Sequence, residues 1–125
     1  MTVAIALVTH PGIATAMRKQ AAELLGVSLE EIHISELDSG TRDPRIELAE
    51  RLARIDRGDG VLILTDLPGA TPSNRAREAS PDLGVVVSGL NMPMLIRAWN
   101  YRDRPLDELR TLVMEGGRKA IMEPD

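Results

Sequence analysis

The chain has 125 residues, and its 43% hydrophobic content is enough to fill the core of one compact domain over residues 1–125. A formal charge of -4 without a basic cluster argues against nucleic acid as a partner. The chain has no cysteine, no apolar run of the roughly 20 residues that a membrane helix needs, and no leader-like segment before Val3. We therefore expect a cytoplasmic protein that is not inserted in a membrane.

Four short apolar segments predict β-strands. They are Val3 to Thr9, Ile32 to Glu36, Val61 to Thr65 and Gly84 to Val87. The first, third and fourth are continuous apolar runs, typical of parallel strands covered on both faces. The second alternates between apolar and polar residues, which favours a position nearer the edge of the sheet.

Apolar residues at spacings of three or four predict five helices, and prolines, glycines and capping residues mark their ends. The first helix is expected to end at Gly26, and the second is expected to begin at Asp43 and Pro44. The third is expected to begin with Thr71 as its cap before Pro72, and the fourth near Pro93. The fifth helix contains Leu106 and is expected to end around Gly116 and Gly117. The alternation of strands and helices predicts an open three-layer α/β/α fold with a mostly parallel sheet of order 2-1-3-4.

The carboxyl ends of the first and third strands are neighbours in this order, and ligands gather at that edge of such sheets. His10 follows the first strand and Asp66 follows the third. A carboxylate that holds one imidazole nitrogen protonated leaves the other as a nucleophile. The small-residue turn from Gly69 to Asn74 enters a helix, so its backbone N–H groups and hydroxyls are suited to binding an anion.

Three blocks of the sequence resemble the mannose-family IIA components of sugar phosphotransferase systems, in the family's order and spacing. They are Ala6 to Gly26 (ALVTHPGIATAMRKQAAELLG), Val61 to Asn74 (VLILTDLPGATPSN) and Gly89 to Leu95 (GLNMPML). The resemblance implies a phosphotransferase component in which His10 accepts a phosphoryl group from the histidine-containing phosphocarrier protein. It would pass the group to a IIB component on another chain or act as a regulator.

The resemblance also assigns roles to the residues around His10. Asp66 would be the hydrogen-bonding partner of the histidine, and the residues that bind the phosphoryl group would be Gly69, Thr71, Ser73 and Asn74. No metal or cofactor is expected. Family members form homodimers that exchange a short C-terminal antiparallel strand, and Lys119 to Met122 would be that segment here.

The chain departs from the family pattern at three positions. Pro11 stands where glycine is usual after the histidine, while Pro68 and Ala70 replace a usual phenylalanine and glycine. Pro11 has no backbone N–H, so donors to a phosphate must come from Gly12 or beyond.

Three other functions remain open at this point. A receiver-like regulatory domain would be phosphorylated on Asp66, but it needs an acidic pair after the first strand to hold magnesium. A flavodoxin-like binding module would hold a nucleotide phosphate on the Gly69 to Asn74 loop. The phosphocarrier subunit of dihydroxyacetone kinase has the same fold and the same histidine.

We expect the second histidine and three arginines to have no catalytic role. His33 lies within the second strand and is expected to face solvent. Arg97, Arg102 and Arg104 are expected to form a solvated face.

Overall fold

The computed structural model describes residues 1–38, 40 and 45–124, which form four strands and five helices. In chain order these are β1 Ala4–Thr9, α1 Ile13–Leu25, β2 His33–Glu36, α2 Arg45–Ile55, β3 Val61–Thr65, α3 Thr71–Ala79, β4 Gly84–Ser88, α4 Met92–Asn100 and α5 Leu106–Lys119. The predicted start of the second helix at Asp43 and Pro44 lies outside the described residues. No helix in the described ranges has both the length and the apolar character needed to cross a membrane.

The four strands form one parallel sheet in the order β2-β1-β3-β4, which confirms the predicted topology. The register places Thr9 beside Glu36, and Thr65 beside Ser88. Since Val8 pairs with Thr65, the carboxyl ends of all four strands lie at the same edge. The loops that follow β1 and β3 therefore emerge side by side.

Both faces of the sheet are covered, as the continuous apolar runs predict. On one face Leu7 and Leu64 pack in a cluster with residues of α1, α4 and α5. On the other face Val8 and Ile63 pack with residues of α2 and α3. Alternate residues of β1 and β3 thus supply both cores, and the strands are held rigidly beneath the loops at their ends.

Helix α5 is longer than the sequence predicts. It continues through Gly116 and Gly117 to Lys119, so the expectation that it ends around the two glycines is wrong. A Cβ added to Gly116 would meet the side chain of Arg97, and one added to Gly117 would lie 2.6 Å from Cγ of Met94. The glycines are there because α4 crosses α5 at close range, and they do not stop the helix.

The N-terminal cap of α3 is Ala70, so the expectation that Thr71 is the cap is also wrong. The carbonyl of Ala70 accepts the Asn74 N–H at 3.0 Å, and no side chain caps the helix. Thr71 is the first helical residue and Pro72 the second. Consequently the Thr71 hydroxyl is not used in capping.

The solvated face predicted for three arginines is wrong for two of them. Arg97 lies against α5 and donates to the carbonyl of Leu112 at 3.0 Å. The guanidinium of Arg102 stacks 3.6 Å from the ring centroid of Trp99. Arg104 does lie on an exposed face.

His33 does not face solvent as predicted. Its ring is half-buried, and Nε2 lies 2.9 Å from Oγ of Ser35. Burial, followed by the nearby charges of Arg51 and Arg18, lowers the pKa of His33 below its usual value.

Candidate active site

His10 and Asp66 form a hydrogen-bonded pair at the carboxyl edge of the sheet. Nδ1 of His10 lies 2.6 Å from Oδ2 of Asp66, and the His10 backbone N–H donates to the same oxygen at 3.1 Å. The His10 side chain is 37% exposed, whereas that of Asp66 is 12% exposed. The carboxylate thus lies beneath the ring and fixes its orientation, while the ring remains open to solvent.

The charge of Asp66 determines which nitrogen of His10 is protonated. Burial raises the pKa of Asp66, but the hydrogen bonds from the His10 ring and backbone outweigh it and hold this pKa below its usual value. An ionised carboxylate can only accept hydrogen bonds, so Nδ1 of the neutral ring carries the proton. Nε2 then has a free lone pair, and no group in the described ranges hydrogen-bonds to it.

The second oxygen of Asp66, Oδ1, is buried and has no hydrogen-bond partner within the described residues. The carboxylate is therefore bound on one oxygen only, and both of those bonds come from His10. This arrangement ties Asp66 to the histidine and to no other side chain.

The N-terminus of α1, directly after His10, is already occupied by oxygen acceptors. Oγ1 of Thr9 accepts the Ala14 N–H, and Oε2 of Glu36 accepts the Thr15 N–H, both at 3.0 Å. The backbone hydrogen bond from Thr15 is the main reason that the pKa of Glu36 is lowered. A second anion at this helix end would meet a carboxylate and few free donors.

The N-terminus of α3 is open by comparison. The backbone N–H groups of Gly69, Ala70, Thr71 and Ser73 have no partner among the described residues, and neither does the Thr71 hydroxyl. Gly69 adopts a left-handed conformation with φ of 78°, which turns the chain from Asp66 into the helix. Free N–H groups and the positive end of the helix dipole favour an anion at this position.

Ser73 and Asn74, both predicted as site residues, already have partners in the structure. Ser73 is 4% exposed, and its Oγ lies 2.9 Å from Oγ of Ser88. The amide of Asn74 donates to the carbonyl of Gly69 at 3.5 Å and its Oδ1 accepts from Arg77. Asn74 therefore closes the loop, and Ser73 belongs to a buried group of hydroxyls.

Sequence reasoning missed four residues that build this site. They are the last residues of the four strands, namely Thr9, Glu36, Thr65 and Ser88. The signal was present in the sequence, because each apolar strand ends in a polar residue at the edge where the loops meet.

No cluster of three metal-ligating His, Cys, Asp or Glu side chains occurs within the residues that the structure describes.

Comparison with known proteins gives the family. Residues 4–111 match the family model described as "PTS system fructose IIA component". The chain is 34% identical over 129 aligned positions to the "PTS system mannose-specific EIIAB component" of Escherichia coli, covering 97% of this chain and 39% of that protein. The chain thus spans well under half the length of this curated relative.

Two solved structures agree in fold and sequence. The mannose/sorbose-specific IIA subunit of Enterococcus faecalis has a TM-score of 0.78 at 27% identity, covering all of this chain and 96% of that one. The component EIIA of Streptococcus agalactiae has a TM-score of 0.77 at 25% identity, covering 97% and 96%. The chain therefore belongs to the mannose and fructose family of IIA components of the phosphotransferase system.

Proposed function

We propose that the chain is a phosphoryl carrier in which Nε2 of His10 is the acceptor. The observation that supports this most strongly is the 2.6 Å contact between Nδ1 of His10 and Oδ2 of Asp66. The Nε2 lone pair forms the new N–P bond as the bond between phosphorus and the donor breaks, and the donor retains that electron pair. The Nδ1 proton stays with the ring, where Asp66 stabilises the positive charge that the imidazole acquires.

The phosphoryl oxygens carry negative charge that must be stabilised throughout the transfer. We assign this role to the free N–H groups of Gly69, Thr71 and Ser73, and to the Thr71 and Ser73 hydroxyls. Asn74 holds the loop in place through its bond to Gly69. The N-terminus of α3 suits this role better than that of α1, which is occupied by the carboxylate of Glu36.

The partners follow from the family. We propose that the donor is the histidine-containing phosphocarrier protein and that the acceptor is a IIB component in the cytoplasm. The name of the Escherichia coli relative joins the A and B components, and this chain covers 39% of that protein. Residues 1–125 form one IIA domain in this proposal.

The partners would dock on the exposed apolar residues that flank His10. Leu67 follows Asp66 and is 56% exposed, and Ile13 begins α1 and is 37% exposed. Pro11 and Pro68 are exposed beside them. Rigid apolar residues around a reactive side chain are suited to a transient interface that excludes water.

The C-terminal segment supports a homodimer of the kind that the resemblance implies. Residues 121–124 follow α5 without regular structure, and the side chains of Ile121 and Met122 are 81% and 71% exposed. β4 is an edge strand that offers an unpaired backbone. The predicted strand from Lys119 to Met122 is not formed in this structure, where Lys119 is the last residue of α5. We propose that the end of the helix unwinds and that Lys119 to Met122 pairs antiparallel with β4 of a second copy, and we expect Ile121→Asp to lower the dimer fraction in sedimentation equilibrium.

A receiver-like function lacks comparable support. In a receiver-like domain Asp66 would itself attack phosphorus, yet both hydrogen bonds to its bound oxygen come from His10. The residue at the end of β1 is a buried threonine whose hydroxyl caps α1, where a receiver needs acidic ligands. The geometry therefore favours histidine as the phosphorylated residue.

The test uses the two histidines of the chain as a matched pair. The protein is incubated with phosphoenolpyruvate, enzyme I and the phosphocarrier protein, and its intact mass is read before and after acid treatment. We expect an acid-labile gain of one phosphoryl group in wild type and His33→Ala, and none in His10→Ala. An adduct that persists in His10→Ala and disappears in Asp66→Ala would reject the histidine carrier in favour of the receiver.

A further inference from the structure

Three hydroxyl groups form a chain beneath the proposed phosphoryl site. Oγ1 of Thr65 lies 2.7 Å from Oγ of Ser88, and Oγ of Ser88 lies 2.9 Å from Oγ of Ser73. Thr65 is fully buried at the end of β3, directly before Asp66. Ser73 is in the first turn of α3, so the chain of hydroxyls links the two elements that carry the site.

The number of protons limits the directions that these hydrogen bonds can take. Each hydroxyl has one proton, so three protons are available for two contacts. The only partner of the Thr65 hydroxyl is Ser88 within the described residues, and a buried donor left unpaired is costly. Thr65 therefore donates to Ser88. The half-buried Ser88 then either donates to Ser73 or accepts from it.

When Ser88 donates, the remaining proton belongs to Ser73 and has no acceptor in the described part of the chain. Ser73 lies among the open N–H groups at the N-terminus of α3. Because its oxygen accepts from Ser88, its proton must point away from the buried hydroxyls. An anion at the N-terminus of α3 would favour this arrangement, because the Ser73 hydroxyl is then oriented as a donor toward it.

We propose that Ser88 is a positioning residue that directs the Ser73 hydroxyl proton to the phosphoryl group on His10. This inference rests on the proposed carrier function and adds to it a residue outside the loop. Ser88 touches neither His10 nor the phosphoryl group, and it acts through Ser73 alone. Removing its hydroxyl leaves the Ser73 hydroxyl free to rotate, so its proton is no longer held toward the phosphoryl group.

A double-mutant cycle tests the inference on the rate of phosphoryl transfer from the phosphocarrier protein, measured by rapid quench. We expect Ser73→Ala to slow transfer about 10- to 30-fold, the effect of losing one hydrogen bond to a charged group. Ser88→Ala should slow it about three- to tenfold, because the Ser73 hydroxyl remains but is no longer held as a donor. The double variant should be no slower than Ser73→Ala. Equal slowing by Ser88→Ala in both backgrounds, or no slowing at all, would overturn the inference.

A second pair of variants separates positioning from packing. Threonine and valine have nearly the same shape, so Ser88→Thr and Ser88→Val place similar bulk at the end of β4 and differ in the hydroxyl. We expect Ser88→Thr to transfer faster than Ser88→Val by about the same three- to tenfold factor. Equal rates would refute the inference while leaving the carrier function intact, whereas wild type that gains no phosphoryl group on His10 would refute both.

Discussion

Replacing Asp66 by asparagine removes the negative charge beneath His10 and keeps the size of the side chain. The 2.6 Å bond to Nδ1 is charge-assisted, and bonds of this kind contribute about 1.5–3 kcal/mol. The His10 ring is 37% exposed, and solvent screening therefore favours the lower end of that range. At about 1.36 kcal/mol per factor of ten, we expect Asp66→Asn to slow phosphorylation of His10 by roughly 10- to 30-fold.

The assay is single-turnover transfer from the phosphocarrier protein, with unfolding by denaturant measured in parallel. Asp59→Asn is the matched control, because Asp59 also accepts a backbone N–H, from Thr2 at 3.0 Å, but lies at the amino end of the sheet. We expect this control to transfer at the wild-type rate. Wild-type transfer by Asp66→Asn would refute the argument that the carboxylate prepares the imidazole for attack.

Three further predictions concern stability and docking. Gly58 and Gly60 both have positive φ, but only a Cβ at Gly60 would meet a main-chain carbonyl, at 2.6 Å. Gly60→Ala should therefore lower the free energy of unfolding by about 1–3 kcal/mol more than Gly58→Ala does. Equal losses would contradict the steric argument. Burial and then nearby positive charge lower the pKa of His33, so the unfolded chain takes up a proton near pH 6.5 that the folded chain resists. Wild type should lose stability as pH falls below that value, and a His33→Gln denaturation profile that falls as steeply would refute this. Leu67→Ser should slow transfer from the phosphocarrier protein but not from phosphoramidate, a small phosphoryl donor. Leu24→Ser, at a comparably exposed site near the far end of α1, should leave the rate of transfer from both donors unchanged. Equal slowing with both donors would place the effect on chemistry instead of docking.

The fold was predictable because local patterns and global packing agree. Continuous runs such as Val61–Thr65 are buried on both faces, and a parallel sheet with helices on both sides is the arrangement that covers them. The order 2-1-3-4 is one that right-handed crossovers allow, and the alternating pattern of the second strand favours its position at an edge. The same order predicts that His10 and Asp66 emerge from adjacent strands.

Helix ends were less predictable, because glycine has two structural uses. At Gly26 the backbone is left-handed with φ of 67°, and the helix stops as the sequence indicates. At Gly116 and Gly117 the backbone is helical, and the missing side chains allow α4 to approach. The role of a glycine at such a position depends on whether another helix packs against it. Here that helix lies about twenty residues earlier in the chain, so the sequence next to the glycines does not reveal it.

The contact between His10 and Asp66 was predictable from the sequence, whereas the groups around it were not. His10 and Asp66 stand out because they follow apolar strands at the switch point of the sheet. Glu36 and Ser88 end the two edge strands, and their roles depend on contacts with α1 and α3 that only the assembled fold provides. A single polar residue at a strand end has too many structural uses to reveal such contacts.

We expect phosphorus to become bonded to Nε2 of His10 while Nδ1 stays hydrogen-bonded to Asp66. The most direct test is nitrogen and phosphorus NMR of the phosphorylated protein with isotope-labelled histidine. We predict one phosphohistidine in which phosphorus is coupled to Nε2 of His10, and a His33 spectrum unchanged by phosphorylation. Attachment through Nδ1, or an acyl phosphate on Asp66, would contradict the account.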